Sequence, residues 1–473
     1  MKKALAMSLV LITCLALVLS ACGGNNGGGG NQAPANETGN ASPDNTDAPA
    51  DEAGEEGGTA ADAPKETVTL KWATWMSPEE SDRYIKAFEA THPNIKIVKD
   101  TAVDWPWNEK LSAVAAAGEL PDVMWTFGVP FAAANGWLED LTPYLNNDDE
   151  YGQGKTFKNL DATANYDGKQ YALPHSLFLF GINLNLDLFE KENVPVPPMN
   201  WTMEDMRDAA VKLTKFNDQQ FGMSNVAALR ETLPAQIDSN LQWNTWDGEK
   251  FNFTSPAFKQ ATDFVDELMY SDKVTYDIYK PEEIQQWFGK DQWPWMLGKV
   301  AMQYDGTWSI GGNAQNAKFK WDIRPVPAGD GGQKIPMVTD YVGMSSSSKY
   351  KEEAFEFIKW LTFSKEGWMQ RLQPEWPLGS VPLVNDEEVW NLYLGREDMP
   401  EGMKEMVKMI PDGFTDLLKW LPGYQTALDT VFGPTMKDVT ERKVKVEDVA
   451  ADLEKRMNDT YQSANDQLNA AAK

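Results

Sequence analysis

Nineteen tryptophans, two histidines and two cysteines in 473 residues define the chemistry open to this chain. Imidazole-based catalysis and metal sites built from His and Cys are poorly supplied. Flat apolar rings are plentiful, since the tryptophan count is about three times what average usage gives such a length. Trp75 ends the first strand-like segment, where ligands bind in open α/β sheets. Trp125, Thr126 and Phe127 end another, and Trp107 shares a loop with Asp104. Asn165-Tyr166-Asp167-Gly168 begins like a calcium loop, but Pro174 stands where the bidentate glutamate belongs, so the segment reads as a strand-connecting turn. Glycines at 23–30 lack the strand, lysine and helix of a phosphate-cradling loop. No metal and no cofactor is expected.

Charge narrows the partners further. With 43 Lys and Arg against 71 Asp and Glu, the net charge is −28. A chain this acidic repels phosphate backbones and anionic lipid head groups, so nucleic acid is excluded. Met1-Lys2-Lys3 followed by the apolar run Ala4 to Leu19 is too short to span a bilayer and reads as a signal peptide over 1–21. Leu19-Ser20-Ala21-Cys22-Gly23 resembles a bacterial lipobox, which implies Cys22 as the lipidated first mature residue. Cys14 and Cys22 both fall in or beside the signal, so no disulfide framework is expected. Residues 22–64 are Gly, Asn, Ala, Pro, Asp and Glu with few apolar side chains, a composition that predicts a disordered tether.

The elements that position the rings begin at Val68. Val68 to Trp75 is rich in β-formers and reads as a strand. Ser77-Pro78-Glu79-Glu80 supplies an N-cap, a first-turn proline and acids for a helix closing near His92-Pro93. Ile95 to Val98 is the next strand, Asn108 to Ala117 a helix ending at Gly118, and Asp122 to Trp125 a short buried strand. This alternation predicts an α/β fold with a mostly parallel, doubly wound sheet.

Seven segments, in order, resemble one family. They are Phe88 to Ile97; Ala117-Gly118-Glu119-Leu120-Pro121-Asp122-Val123; Gly136-Trp137-Leu138-Glu139-Asp140-Leu141-Thr142-Pro143-Tyr144; Asp167 to Pro174; Asn183 with Asp187 to Glu190, Pro198 and Trp201; Gly298 to Met302 with Gly306-Thr307-Trp308; and Lys351 to Thr362. Together they resemble the family 1 extracellular solute-binding proteins, the sugar-binding lipoproteins of ABC importers, over nearly everything after residue 66. The resemblance implies two α/β lobes in the periplasmic-binding-protein type II, maltose-binding-protein-like arrangement, with a ligand cleft and a hinge. By similarity, lobe one covers 65–161 plus 326–372, and lobe two 162–325 plus 373–473. It also implies ABC permease subunits as partners, a monomeric protein, no enzymatic activity, and a lipid-anchored location outside the cell membrane, as in a Gram-positive bacterium.

A pyranose shows an apolar C–H face and a rim of hydroxyls, so its receptor needs rings for stacking and carboxylates or amides for paired hydrogen bonds. Trp75, Trp125 and Phe127 are expected at the cleft, and the resemblance places Trp308 at a recurrent cleft tryptophan. Trp420 and Tyr424 fall in the family's aromatic segment under the sugar. Asp104, Trp107, His175, Glu231 and Tyr341 complete the candidates, with Arg230, Gln236 and Asp340 beside them. Many rings favour an oligosaccharide. A receptor for a polyamine, phosphodiester or peptide, and a secreted glycosidase using a carboxylate pair, are the alternatives.

Overall fold

Residues 66–152 and 158–471 are described by a computed structural model; the signal peptide, Cys22 and the tether lie outside the described residues. Strand β1 (Val68–Ala73) alternates as its sequence does, turning Val68, Leu70 and Trp72 inward. Helix α1 (Pro78–Thr91) starts on Ser77, whose hydroxyl accepts the Glu80 N–H at 3.2 Å while the Glu80 carboxylate accepts the Ser77 N–H at 3.1 Å. This reciprocal cap contributes about 1 kcal/mol. Strand β2 (Ile95–Lys99) follows, then α2 (Trp107–Ala117), which stops at Gly118 because φ of 71° there suits a residue without Cβ. Strand β3 (Val123–Thr126) is buried throughout.

The Asp167-Gly168 pair turns a two-stranded hairpin of β4 (Asn165–Tyr166) and β5 (Lys169–Gln170), with φ of 49° and 74° at the two turn residues. Both angles are positive, as a tight hairpin requires, and the reading of a strand-connecting turn holds.

Strand β6 (Ala172–Asn185) organises the rest. With β7 (Phe221–Ser224), β8 (Val300–Gly306), β9 (Trp321–Pro325), β10 (Pro336–Met344) and β11 (Phe414–Thr415) it completes a nine-stranded sheet of order β2-β1-β3-β10-β6-β8-β7, β9 pairing with β6 and β11 with β10. Residues Ala172 to Leu179 of β6 pair with β10; from Phe180 onward the same strand pairs with β8 and β9. The sheet is mixed. β1, β2 and β3 are parallel, but β10 runs antiparallel to both β3 and β6. The expectation of a mostly parallel sheet fails here because the chain re-enters the first half from the β9 side.

One strand therefore feeds several cores. Leu173 lies in one buried cluster with Leu70, Trp72, Phe88 and Trp360; Leu177 and Leu179 lie in a second with Ile310, Met337 and Tyr393; Ile182 and Leu184 lie in a third with Trp201, Met206 and Met302. A fourth cluster joins Phe251 and Phe258 to Leu417, Tyr424 and Leu453. Each such side chain contributes about 1.5–3 kcal/mol on burial. Much of the tryptophan surplus is interior: Trp72, Trp201, Trp246, Trp295 and Trp360 are fully buried. Trp201 donates its indole N–H to the Pro325 carbonyl at 2.8 Å. Trp368 lies 4.0 Å from the buried Arg371 guanidinium, a cation held by rings and carbonyls.

Candidate functional site

The carboxyl ends of β1, β2 and β3 carry an aromatic rim. Trp75, half-buried just past β1, has its ring centre 4.5 Å from that of Trp125, 5.1 Å from Trp107 and 5.3 Å from Phe127, all edge-on. Trp107 and Trp125 are the foundation of this group. Trp107 is 2% exposed and donates its indole N–H to the Trp125 carbonyl at 3.1 Å; Trp125 is 3% exposed and stacks on His175 at 4.0 Å and 22°. Trp105 is the exposed ring, at 58%, set over Phe127 at 5.5 Å. Of these two neighbours the sequence points to Trp107, and the structure leaves Trp105 the exposed one. Trp107 opens α2 and turns inward with it, whereas Trp105 precedes the capping Pro106 and stays outside. Asp104 is exposed, its carboxylate accepting the Trp105 N–H at 2.8 Å.

Below the rim, β6 and β10 bring polar groups together. The Ser176 hydroxyl donates to Asp340 Oδ2 at 3.0 Å, and Lys419 Nζ lies 2.9 Å from Asp340 Oδ1 and 4.0 Å from Asp416. The Lys419 carbonyl accepts the N–H groups of Gly128 and Val129 at 2.9 and 3.1 Å, and its ammonium lies 5.7 Å from the Phe127 ring. Burial pushes the Asp340 carboxyl up, but the neighbouring cations and hydrogen bonds, Lys419 foremost, together outweigh it and the group sits below the usual carboxylate range. Burial lifts Asp416 above that range. Lys419 is raised, because the two carboxylates overcome its burial. His175, bulged out of register beside the Asp340/Tyr341 shift, is driven by burial down to about 4 and is neutral at physiological pH; its Nε2 has no partner among the described residues.

Two residues along the same face of β6 from Ser176, Phe178 supports Trp308. The Trp308 ring is 43% exposed and rests edge-on against Phe180 at 4.9 Å and Phe178 at 5.6 Å. A Cβ at Gly306 would run into the Trp308 ring, so any larger residue there would push the ring from its present seat. Phe180 also meets Trp243, whose indole N–H bonds Glu231 at 2.9 Å; burial raises the Glu231 carboxyl.

The remaining candidates have partners of their own. Tyr341 is wholly buried and pairs its hydroxyl with Thr163. Tyr424 is 2% exposed, its hydroxyl accepting from Asn244 Nδ2 at 2.6 Å. Trp420, half-buried beside Lys419, donates to the Asp416 carbonyl at 2.7 Å. Arg230 is buried against Asp266 at 2.5 Å, and Gln236 exchanges hydrogen bonds with the Lys334 backbone. Among the described residues no group of three or more His, Cys, Asp or Glu is arranged to hold a metal ion.

A strand shared by separate cores, with exposed rings and a buried polar network along it, is the arrangement of a two-lobed α/β solute-binding protein. Residues 72–368 match the bacterial extracellular solute-binding protein family, and the chain belongs to it. A binding protein of Brucella abortus is 26% identical over 359 residues, 73% of this chain and 80% of its own. The erythritol/L-threitol-binding protein of Mycolicibacterium smegmatis is 26% identical over 269 residues, 50% of this chain and 53% of its own. An ABC substrate-binding protein from Listeria monocytogenes, solved in complex with cycloalternan, superposes with a TM-score of 0.69 at 24% identity, covering 84% of this chain and 99% of that one.

Proposed function

We propose that the protein captures a sugar, an oligosaccharide in preference to a single unit, between its two lobes and delivers it to an ABC permease. The observation that carries this is the sequence along one face of β6: Ser176 on the Asp340–Lys419 network, then Phe178 and Phe180 under the exposed Trp308 ring. Hydrogen-bonding groups beside an apolar platform match the hydroxyl rim and C–H face of a pyranose. The Lys419 carbonyl, held by the loop after β3, links that loop to the segment packed on the C-terminal core. A ligand touching both sides favours the closed form, which a transporter reads. The lobe ranges 65–161 plus 326–372 and 162–325 plus 373–473 belong to this proposal. So does anchoring through Cys22 on the outer face of the membrane after removal of residues 1–21, with 22–64 as tether. Among the described residues no helix is long and apolar enough to cross a membrane.

The relatives that support a carbohydrate-like ligand differ in its size: one is named for erythritol and L-threitol, another was solved with cycloalternan. A thermal-shift panel of maltotetraose, mannotetraose, xylotetraose, erythritol, spermidine and glycerophosphodiesters tests the proposal. A ligand at 100 times its Kd stabilises by about 2.7 kcal/mol. A shift with a sugar and none with spermidine or the phosphodiesters is expected. A shift with spermidine or a phosphodiester alone overturns it, and catalytic shortening of the sugars would favour the glycosidase.

A further inference from the structure

We propose that Trp105 is a second stacking platform, which takes a sugar unit other than the one on Trp308. This rests on the sugar-binding reading of the cleft. Trp105 is 58% exposed, more than any other tryptophan among the described residues. Its ring is held from the side by Phe127 at 5.5 Å and 77° and flanked by Trp75 and Trp107, each at 6.4 Å. Edge-on support fixes the ring's orientation while leaving face area uncovered, and Trp308 is supported in the same manner by Phe178 and Phe180.

The two rings are joined by a continuous series of contacts. Trp105 touches Phe127; the Phe127 ring lies 5.7 Å from Lys419 Nζ; Lys419 reaches Asp340, and Asp340 reaches Ser176, two residues before Phe178 on β6. A polar floor thus has an exposed indole at either end. One pyranose covers one indole, so a ligand that uses both rings has at least two units. Trp105 stands on the loop after β2, at the carboxyl edge of the sheet where ligands of open α/β sheets bind.

Calorimetric titration with maltotetraose, mannotetraose and xylotetraose, and with glucose, mannose and xylose, tests this on the full mature chain. Trp105→Ala is expected to weaken the tetrasaccharide that binds by about tenfold, a typical loss for an aromatic anchor, and to leave its monosaccharide unchanged. Trp105→Phe should recover part of the loss. Wild-type tetrasaccharide affinity in Trp105→Ala, or equal losses for both ligand sizes, overturns the proposal while sugar binding stands. If the wild-type protein binds none of the six, the sugar reading falls and the proposal with it.

Discussion

Lys419 places its ammonium 2.9 Å from Asp340 while its own carbonyl holds the N–H groups of Gly128 and Val129. One residue of the C-terminal segment thus binds β10 through its side chain and the loop after β3 through its backbone. Replacing the side chain alone separates these two roles.

Lys419→Met leaves Asp340 and Asp416 buried without their cation. Removal of one partner from a buried ion pair costs about 3–5 kcal/mol. Urea denaturation at pH 7 should show a loss of that order, and Asp340→Asn in the same background should restore part of it. A loss under about 1 kcal/mol would mean that the network adds nothing to the fold.

His175 gives the pH dependence. Its imidazole, buried on Trp125, titrates near 4 when folded against about 6.5 when unfolded, so the folded state disfavours its proton. Burial is the main cause; Asp340 opposes it, and Arg371 and Lys419 add to it. The stability this provides is complete above pH 6.5 and disappears as pH falls towards 4, about 3 kcal/mol at most. His175→Phe keeps a ring over Trp125 with nothing to protonate, so its stability relative to wild type should rise steadily from pH 7 to 4.5. A constant gap between the two proteins over that range would contradict this.

Tyr424 separates core from cleft. Its hydroxyl accepts from Asn244 and its ring stacks near Phe251 at 5.8 Å. Tyr424→Phe should lower stability by about 1–2 kcal/mol, the penalty for an unsatisfied buried amide, and leave ligand affinity unchanged in calorimetry. A clear affinity loss at unchanged stability would return Tyr424 to the binding surface.

Local signals carried much of the fold. Ser77 with Glu80, Gly118 after α2 and the Asp167-Gly168 turn are satisfied by neighbouring backbone, so a short stretch of sequence suffices to read them. The antiparallel direction of β10 depends on where the chain has come from, which no local pattern records. The site divides along the same line. Trp75, Trp125 and Phe127 follow from their places at strand ends, and the structure does gather them. Trp105 against Trp107 depends on which indole the helix start carries inward. The Lys419–Asp340–Ser176 network joins residues from three distant segments. The sequence suggests Asp340 at the cleft, but nothing in spacing or composition marks its cation.

Calorimetric titration of wild type and Trp308→Ala with the sugar that gives the largest thermal shift tests sugar capture at this ring. Trp308 is 43% exposed and its ring rests edge-on against Phe178 and Phe180, so a folded variant with a modest loss of stability is expected. One saturable site is expected in the wild type, with an affinity loss of about 2 kcal/mol or roughly thirtyfold in the variant, and a single cooperative unfolding transition in both proteins without ligand. Equal affinity in the two proteins would contradict it.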